Sequence, residues 1–340
     1  MRTLVTGGAG YIGSHTAIEL LGAGHDVVVL DNLSNSTRAA VTAIRSLTHH
    51  DVPFVECDIR DANGLDRVFA DGGFDAVFHF AALKAVGEST VEPLRYYDNN
   101  VAGTACLLNR MAAHGVRTIV FSSSAAVYGD PASMPISETC PPDPRSPYAR
   151  TKLVIENLLQ DLQATDPDWR ISILRYFNAV GAHPSGAIGE DPSGVPSNLL
   201  PFVAQVAVGR RERLNLFGDD YPTPDGTGIR DYLHVVDLAQ GHIKAFDYLT
   251  TNNGISVHNL GTGRGTSVLD VVREFERACG RPIPYRTTGR RAGDVVVSYA
   301  DPTKARDQLG WTAKYDLARI CTDLWRWQST HPQGFRGQKA

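Results

Sequence analysis

The run Gly7-Gly8-Ala9-Gly10-Tyr11-Ile12-Gly13 constrains this chain more than any other stretch, because of what flanks it. Thr3 to Thr6 reads as a short buried strand, and past Gly13 apolar residues follow a helical pattern through Ile18, Leu20 and Leu21. A second strand, Asp26 to Leu30, comes next, so the order strand, glycine turn, helix, strand defines a βαβ unit. Gly7, Gly10 and Gly13 divide the work of such a turn: one permits the tight bend, one lets backbone approach a pyrophosphate, one lets helix pack on strand. Glycine spacing alone is weak evidence. The second strand strengthens it by ending in Asp31, where a carboxylate can accept both ribose hydroxyls and would repel a 2'-phosphate. The expected cofactor is therefore NAD rather than NADP.

The alternation continues with a third strand, Val52 to Glu56, ending near Asp58-Ile59, which could face an adenine. A helix from Ala62 to Asp71 leads to a fourth strand, Asp75 to Phe80, and then to Ala81-Ala82-Leu83-Lys84. Lys84 is either a phosphate contact, since open sheets bind ligands along this edge, or a solvated loop residue. Glu92 to His114 reads as one long helix whose Asn99 and Asn100 either face solvent or reach a ligand. Strand five, Thr118 to Phe121, delivers Ser122-Ser123-Ser124 to the ligand-facing edge, and strand six, Arg170 to Tyr176, closes the parallel run.

Tyr148 and Lys152, four positions apart, share one helix face. Ser146 as N-cap and Pro147 at the first helical position mark the helix start. A free phenol ionises near pH 10, so a neighbouring ammonium is a device for lowering that value and making Tyr148 an acid/base group. A Tyr-x-x-x-Lys by itself is as readily a surface coincidence. Ser124 changes the estimate: a hydroxyl at a strand end, with Tyr and Lys on the next helix beside a nicotinamide, can bind a substrate hydroxyl, remove its proton and leave hydride transfer to the cofactor. There is no G-x-S-x-G turn to favour an activated nucleophile.

Composition excludes several classes. An apolar share of 42%, a charged share of 21% and a formal net charge of -4 describe a globular chain without the basic excess of a nucleic-acid partner. Met1 to Thr6 runs straight into the glycine turn without the apolar core of a signal peptide, and no later run is long enough to span a bilayer; a cytoplasmic protein is expected. Cys57, Cys106, Cys140, Cys279 and Cys321 lack C-x-x-C spacing, so buried thiols are expected rather than disulfides, and no His/Cys cluster suggests a metal.

After Phe177 the chain turns to Gly, Pro, Asn and Asp, in Gly181 to Gly186 and Tyr221 to Gly226, the composition of functional loops. Asn178, Asn198, Asn215, Arg230 and Arg291 lie here. Each alone is as readily a surface residue; together they suit a pocket for a phosphorylated substrate opposite the cofactor. Val235 to Leu249 reads as a helix, Val257 to Leu260 as a strand, and Thr266 to Cys279 as a helix after Gly261-Thr262-Gly263. That second glycine turn lacks a following βαβ pattern, so no second nucleotide site is expected. A Trp311 segment and a helix with Trp325 and Trp327 precede a polar end expected to fray.

Together the glycine run, His79 to Ser89, Ser122 to Gly129, Ser146-Pro147-Tyr148 and Gly226-Thr227-Gly228-Ile229-Arg230-Asp231-Tyr232 closely resemble the UDP-glucose 4-epimerase family, within the extended short-chain dehydrogenase/reductase superfamily. The likeness spans nearly the whole chain. The glycine turn and Tyr-x-x-x-Lys point only to the superfamily, whereas the lysine segment and G-T-G-x-R-D-Y point to the epimerases. The resemblance implies an α/β fold: a Rossmann-type doubly wound parallel sheet in residues 1–177, with a return around 232–260, and a smaller C-terminal α/β substrate domain in 178–340. It implies galactose metabolism, with Tyr148 as phenolate taking the proton of a sugar 4-hydroxyl while NAD+ takes hydride from C4, and hydride returning to the opposite face of the 4-keto sugar. Ser124 would hydrogen-bond O4 and Lys152 would bind the nicotinamide ribose.

By the same likeness Gly7, Gly10, Tyr11, Ile12, Gly13, Asp31, Asn32, Asn35, Asp58, Ile59, Phe80, Ala81, Lys84, Asn99, Ser122, Tyr148, Lys152 and Tyr176 would contact NAD. Lys84, Ser124, Tyr148, Asn178, Asn198, Leu199, Asn215, Phe217, Arg230, Arg291, Asp294 and Ser298 would hold the UDP-hexose. Family members are usually homodimers built through the helices around Glu92 to His114 and Tyr148 to Gln163. Ala82 stands where many relatives have Gly. Ser298 falls where members restricted to unacetylated sugars carry a bulky Tyr, which implies room for a 2-acetamido group unless Tyr299 fills it after a one-residue shift. The nearest different reading, an NAD-dependent nucleotide-sugar 4,6-dehydratase, needs acid/base carboxylates right after the strand-five hydroxyl, where this chain has Ala125-Ala126.

Overall fold

The computed structural model describes residues 1–196, 198–291 and 294–337, with residues 336 and 337 as backbone only. Its centre is a seven-stranded parallel sheet. Six strands come from the first half: β1 (Arg2–Thr6), β2 (Asp26–Asp31), β3 (Phe54–Glu56), β4 (Ala76–His79), β5 (Thr118–Ser124) and β6 (Arg170–Tyr176). The expectation that β6 closes the run is corrected: Gly254–Leu260 pairs with β6 along its whole length and forms the sheet edge. The order is Gly254–Leu260, β6, β5, β4, β1, β2, β3, so the sheet reverses its winding between β1 and β4. At such a reversal the crossover connections leave to opposite sides, and a crevice opens at the carboxyl ends of the strands.

Strand side chains alternate between faces, and both faces of this sheet are covered, so neighbouring residues enter different cores. Val5, Val29, Phe78, Val120 and Leu174 pack with α1 (Tyr11–Gly22) and the helix Val235–Thr251. Leu4, Leu30, Val77, Ile119 and Ile171 pack with α3 (Ala62–Gly72) and the helices Gly103–Ala113 and Pro147–Thr165. Each fully buried aliphatic side chain stabilises the fold by about 1.5–3 kcal/mol. A helix α2 (Arg38–Thr48), which the sequence reading leaves unassigned, buries Ala40, Val41 and Ile44 against the first core.

The expected single helix from Glu92 is also corrected. A short helix Val86–Val91 comes first, then Pro93–Tyr96, a π-helical turn Tyr97–Ala102 and Gly103–Ala113. A π-turn inserts an extra residue per turn and re-aims the side chains around it, often at functional sites. In the second half, Thr266–Ser267 is a short strand and the helix begins at Val268, with the Ser267 hydroxyl accepting the Asp270 N–H.

The remaining second-half strands form three small sheets. Asn178–Val180 pairs with Tyr232–His234, Leu214–Phe217 with Tyr285–Thr288, and Ile229–Arg230 lies between Thr266–Ser267 and Val297–Ser298. The helices Leu199–Ala207, Val268–Cys279 and Leu317–Thr330 support them through Val203, Phe275, Leu324 and Trp327. All five cysteines carry free thiols. Among the described residues no helix is long and apolar enough to cross a membrane. The polar end expected to fray, 338–340, lies outside the described residues.

Candidate active site

The glycine turn runs from the end of β1 into α1 at the point where the sheet reverses. Gly7 has φ +67°, and a Cβ there would lie 2.6 Å from the backbone nitrogen of Ala81, just past β4. A Cβ on Gly13 would lie 2.3 Å from the Gly7 carbonyl. Both positions therefore exclude a side chain. Gly10 opens α1 without a side-chain cap, so the first-turn N–H groups, with Tyr11, Ile12 and Gly13, form a cradle suited to a pyrophosphate.

Asp31, at the end of β2, is buried and shapes the loop beside this turn. One carboxylate oxygen accepts the Ala9 N–H at 3.1 Å, the other the Leu33 N–H at 2.9 Å and the Ser36 hydroxyl at 2.8 Å. Asn32 donates to Asp58 at 2.8 Å, and Arg60 also grips Asp58, holding its carboxyl well below the usual range. The Ile59 side chain is buried and would meet a Cβ on Gly103 at 2.8 Å. Asn35 accepts a hydrogen bond from the Ser193 hydroxyl at 2.5 Å, joining this loop to the second half. Phe80 follows β4 with its ring 4.8 Å from that of His242.

Tyr11 donates to the Gly181 carbonyl at 2.7 Å, and the Lys84 ammonium lies 5.9 Å over its ring. Lys84 is exposed and ion-paired at 2.7 Å with Glu190, a residue that sequence reading missed. Asn99 donates to Asn100 at 2.9 Å. Asn100, fully buried in the π-turn, does not face solvent: it accepts the Leu83 N–H at 2.8 Å and donates to the Leu83 carbonyl at 3.0 Å and to Thr151 at 3.1 Å. It ties the lysine loop to the helix of Tyr148.

That helix begins as its sequence implies, with the Ser146 hydroxyl accepting the Ala149 N–H and Pro147 at the first position. Tyr148 and Lys152 are both buried on its inner face. Lys152 donates to the Ser122 carbonyl at 2.7 Å, and its ammonium lies 6.0 Å from the centre of the Tyr148 ring. Ser124, at the end of β5, accepts the Ala126 N–H at 3.1 Å. Tyr176, at the end of β6, hydrogen-bonds the Ser122 hydroxyl. Ser122, Ser124, Tyr148, Lys152 and Tyr176 therefore converge on one edge of the sheet.

Burial pushes the Tyr148 phenol above its ordinary pKa, and the group that lowers it is the Ser124 hydroxyl rather than the Lys152 ammonium. Lys152 is itself pushed down to about 7 by burial, against the opposing pull of Glu156. The low-dielectric seat that positions the pair thus disfavours both charged forms. His79, at the end of β4, is pushed down to about 3 by burial and by Lys152, and as neutral imidazole links Thr6 at 2.7 Å to Thr104 at 2.8 Å.

The second-half residues expected to hold the UDP-hexose sit on short strands, loops and a helix start. Arg291 lies 4.3 Å over the ring of Phe217, which is exposed at the end of Leu214–Phe217. Asn215 on the same strand accepts from Arg286 at 2.8 Å. Asp294 donates its N–H to the Arg291 carbonyl at 3.2 Å, while the intervening 292–293 lie outside the described residues. Asn198 precedes the helix that Leu199 begins, and Asn178 opens the strand paired with Tyr232. Arg230 pairs in register with Ser298.

The Tyr299 ring lies 3.2 Å from where a Cβ on Gly265 would stand, while Ser298 pairs with Arg230. The nearby turn Gly261-Thr262-Gly263 wraps Asp231. That fully buried carboxylate accepts the Thr262 N–H at 2.9 Å, the Thr262 hydroxyl at 2.6 Å and the Ala300 N–H at 3.2 Å. Asp231 fixes the Ser298 strand, a role its place beside Arg230 in the motif gave no means to read.

Residues 4–324 match the family model described as GDP-mannose 4,6 dehydratase. UDP-glucose 4-epimerase of Bacillus subtilis (strain 168) is 54% identical over 336 residues, covering 99% of each chain. The chain belongs to the UDP-glucose 4-epimerase family. Among solved structures, the Bifidobacterium longum UDP-glucose 4-epimerase in complex with NAD+ and UDP is similar at a TM-score of 0.96 and 49% identity, over 98% of this chain and 100% of that one. The UDP-Glc/GlcNAc 4-epimerase of Campylobacter jejuni matches at a TM-score of 0.85 and 39% identity, over 97% and 99%. The dehydratase description of the wider family model does not fit the local chemistry of this epimerase-family chain: after Ser124 come Ala125–Tyr128 in a 3-10 turn, with no carboxylate among them.

Proposed function

We propose that this chain interconverts UDP-galactose and UDP-glucose by epimerisation at C4, with NAD as its cofactor. The observation that carries the reading is the convergence of Ser124, Tyr148 and Lys152 beside a side-chain-free glycine cradle. The cradle and Asp31 fit a dinucleotide with an unphosphorylated ribose. When bound, NAD supplies the acceptor and later the donor of the C4 hydride.

The protein's own groups do the rest. Ser124 holds O4 and Tyr148 takes its proton, then returns it after the 4-keto sugar has turned over in the pocket. The raised phenol pKa favours that return; ionisation before the first step depends on positive charge brought close to the ring. Lys152 orients the nicotinamide ribose, while Arg230, Arg291, Asn178, Asn198 and Asn215 grip the UDP so that only the hexose is free to rotate. This assigns residues 1–177, with the return strand, to NAD, and most of 178–340 to the UDP-sugar.

Two finer readings follow. Ser298, small and on the Arg230 face, leaves volume for a 2-acetamido group, so UDP-GlcNAc and UDP-GalNAc are also interconverted. The chain is also a homodimer through its Val86–Ala113 and Pro147–Thr165 helices, where Val91 and Leu94 are 79% and 84% exposed and Val154 39%. Such apolar side chains on adjoining helices suit an isologous contact. The test is to incubate purified protein with UDP-galactose and with UDP-GalNAc, without added cofactor, and identify the products. C4 epimers are expected from both. A free keto sugar or NADH released into solution would sink the epimerase reading, and activity on UDP-galactose alone would sink the acetamido one.

A further inference from the structure

One turn past Lys152, on the same helix, Glu156 is fully buried. It accepts from the Ser123 hydroxyl at 2.5 Å and from Arg175 at 3.0 Å on one oxygen, and from Arg175 at 2.5 Å on the other. Arg175 stands opposite Ser123 in the β5–β6 register and also donates to the Tyr128 hydroxyl at 3.1 Å. Tyr128 donates to Asn259 at 2.7 Å, and Asn259 to the Ile136 carbonyl at 2.9 Å. The Ile136 N–H is given to the Tyr299 carbonyl at 2.9 Å, next to Ser298. A continuous line of bonds thus runs from the catalytic helix, beneath Ser124, to the backbone beside Ser298. A buried ion pair is seldom worth more to stability than well-packed apolar residues, so stability alone does not account for this one.

We propose that Glu156 is a positioning residue of the reaction: bonded to the neighbour of Ser124 and carried on the helix of Tyr148 and Lys152, it fixes these three groups relative to one another. The inference rests on the epimerase reading. Around Glu156 the charged and titratable groups are Arg175 on β6 and Lys152 on its own helix; Tyr128 on the 3-10 turn bonds Arg175, His79 on β4 faces Lys152, and Glu138 faces Tyr128. Glu156 favours the charged form of Lys152. Without it, Lys152 loses its proton at lower pH, and the alkaline limb of the rate profile moves toward acid.

The test uses purified holoenzyme with UDP-galactose. Glu156→Gln is expected to lower kcat about a hundredfold, the scale of a small misplacement of reacting groups, with KM and bound NAD nearly unchanged and the alkaline limb moved toward acid. Glu156→Asp, which restores the charge, should return that limb. Ser123→Ala, which leaves the ion pair intact, should lower kcat about tenfold without moving the limb. If Glu156→Gln is folded and NAD-loaded with wild-type kcat and limb, the proposal is overturned while the epimerase reading stands. If that variant does not fold, Ser123→Ala decides, and an unchanged kcat overturns the proposal. Failure of the wild type to form an epimer overturns the reading and the proposal together.

Discussion

The two walls of the proposed site are made in different ways. The first is the carboxyl edge of one parallel sheet, where Asp31, His79, Ser124 and Tyr176 are the last residues of their strands; His79 and Tyr176 are paired to a neighbouring strand on both sides, Asp31 and Ser124 on one. Asp31, Tyr148 and Lys152 there are buried, and side chains are held to backbone or to one another, as Lys152 is to Ser122. The second wall consists of strands two to four residues long, joined by loops, with Phe217 exposed and Arg291 resting on it. A continuous sheet fixes atoms well enough for proton and hydride transfer. Short strands and loops suffice to grip a ligand, and one residue such as Ser298 can change without disturbing the core.

This contrast can be broken by substitutions that cost rate on one wall and affinity or selectivity on the other. The largest effect is expected from Tyr148→Phe, which removes the hydroxyl proposed to transfer the proton: kcat on UDP-galactose should fall about 10²–10⁴-fold with KM little changed, by steady-state kinetics. A fall confined to KM would mean that the rigid wall only binds. Next is Ser298→Tyr, expected to reduce turnover of UDP-GlcNAc about a hundredfold while sparing UDP-glucose. Equal losses on both sugars would deny the second wall its selecting role.

Gly7→Ala should cost about 1–3 kcal/mol of stability, because φ +67° strains any side chain, and the added carbon meets the backbone at Ala81. Thermal unfolding and NAD content measure it, and an unchanged melting temperature would contradict the cradle geometry. The smallest effect is expected from Arg291→Ala, a rise in KM of about tenfold with kcat retained, as for the loss of one charge-assisted contact at the rim of the proposed site. A comparable loss in kcat would blur the difference between the walls.

Local rules made much of this molecule legible. The β1 turn, the capped start of the Tyr148 helix and the order of six strands follow from glycine spacing, capping chemistry and apolar periodicity, all of which act between residues close in the chain. α2 carried the same signal in Ala40, Val41 and Ile44 and was passed over. Glu156 too was within reach, since Tyr148, Lys152 and Glu156 recur at one spacing on one helix face. Nothing local could pair it with Arg175 on the next strand.

The sequence alone therefore determined the βαβ frame, the family and the identity of the chemical groups, because each of these is written in short-range pattern. Only the tertiary structure decided that Gly254–Leu260 extends the sheet beyond β6, that Asn100 braces the Lys84 loop and that Glu190 holds Lys84. It also decided how far the Tyr148 phenol is buried, which raises its pKa. Each of these depends on contacts between residues far apart in the chain and on how much water the fold excludes, quantities that exist only once the chain has closed on itself.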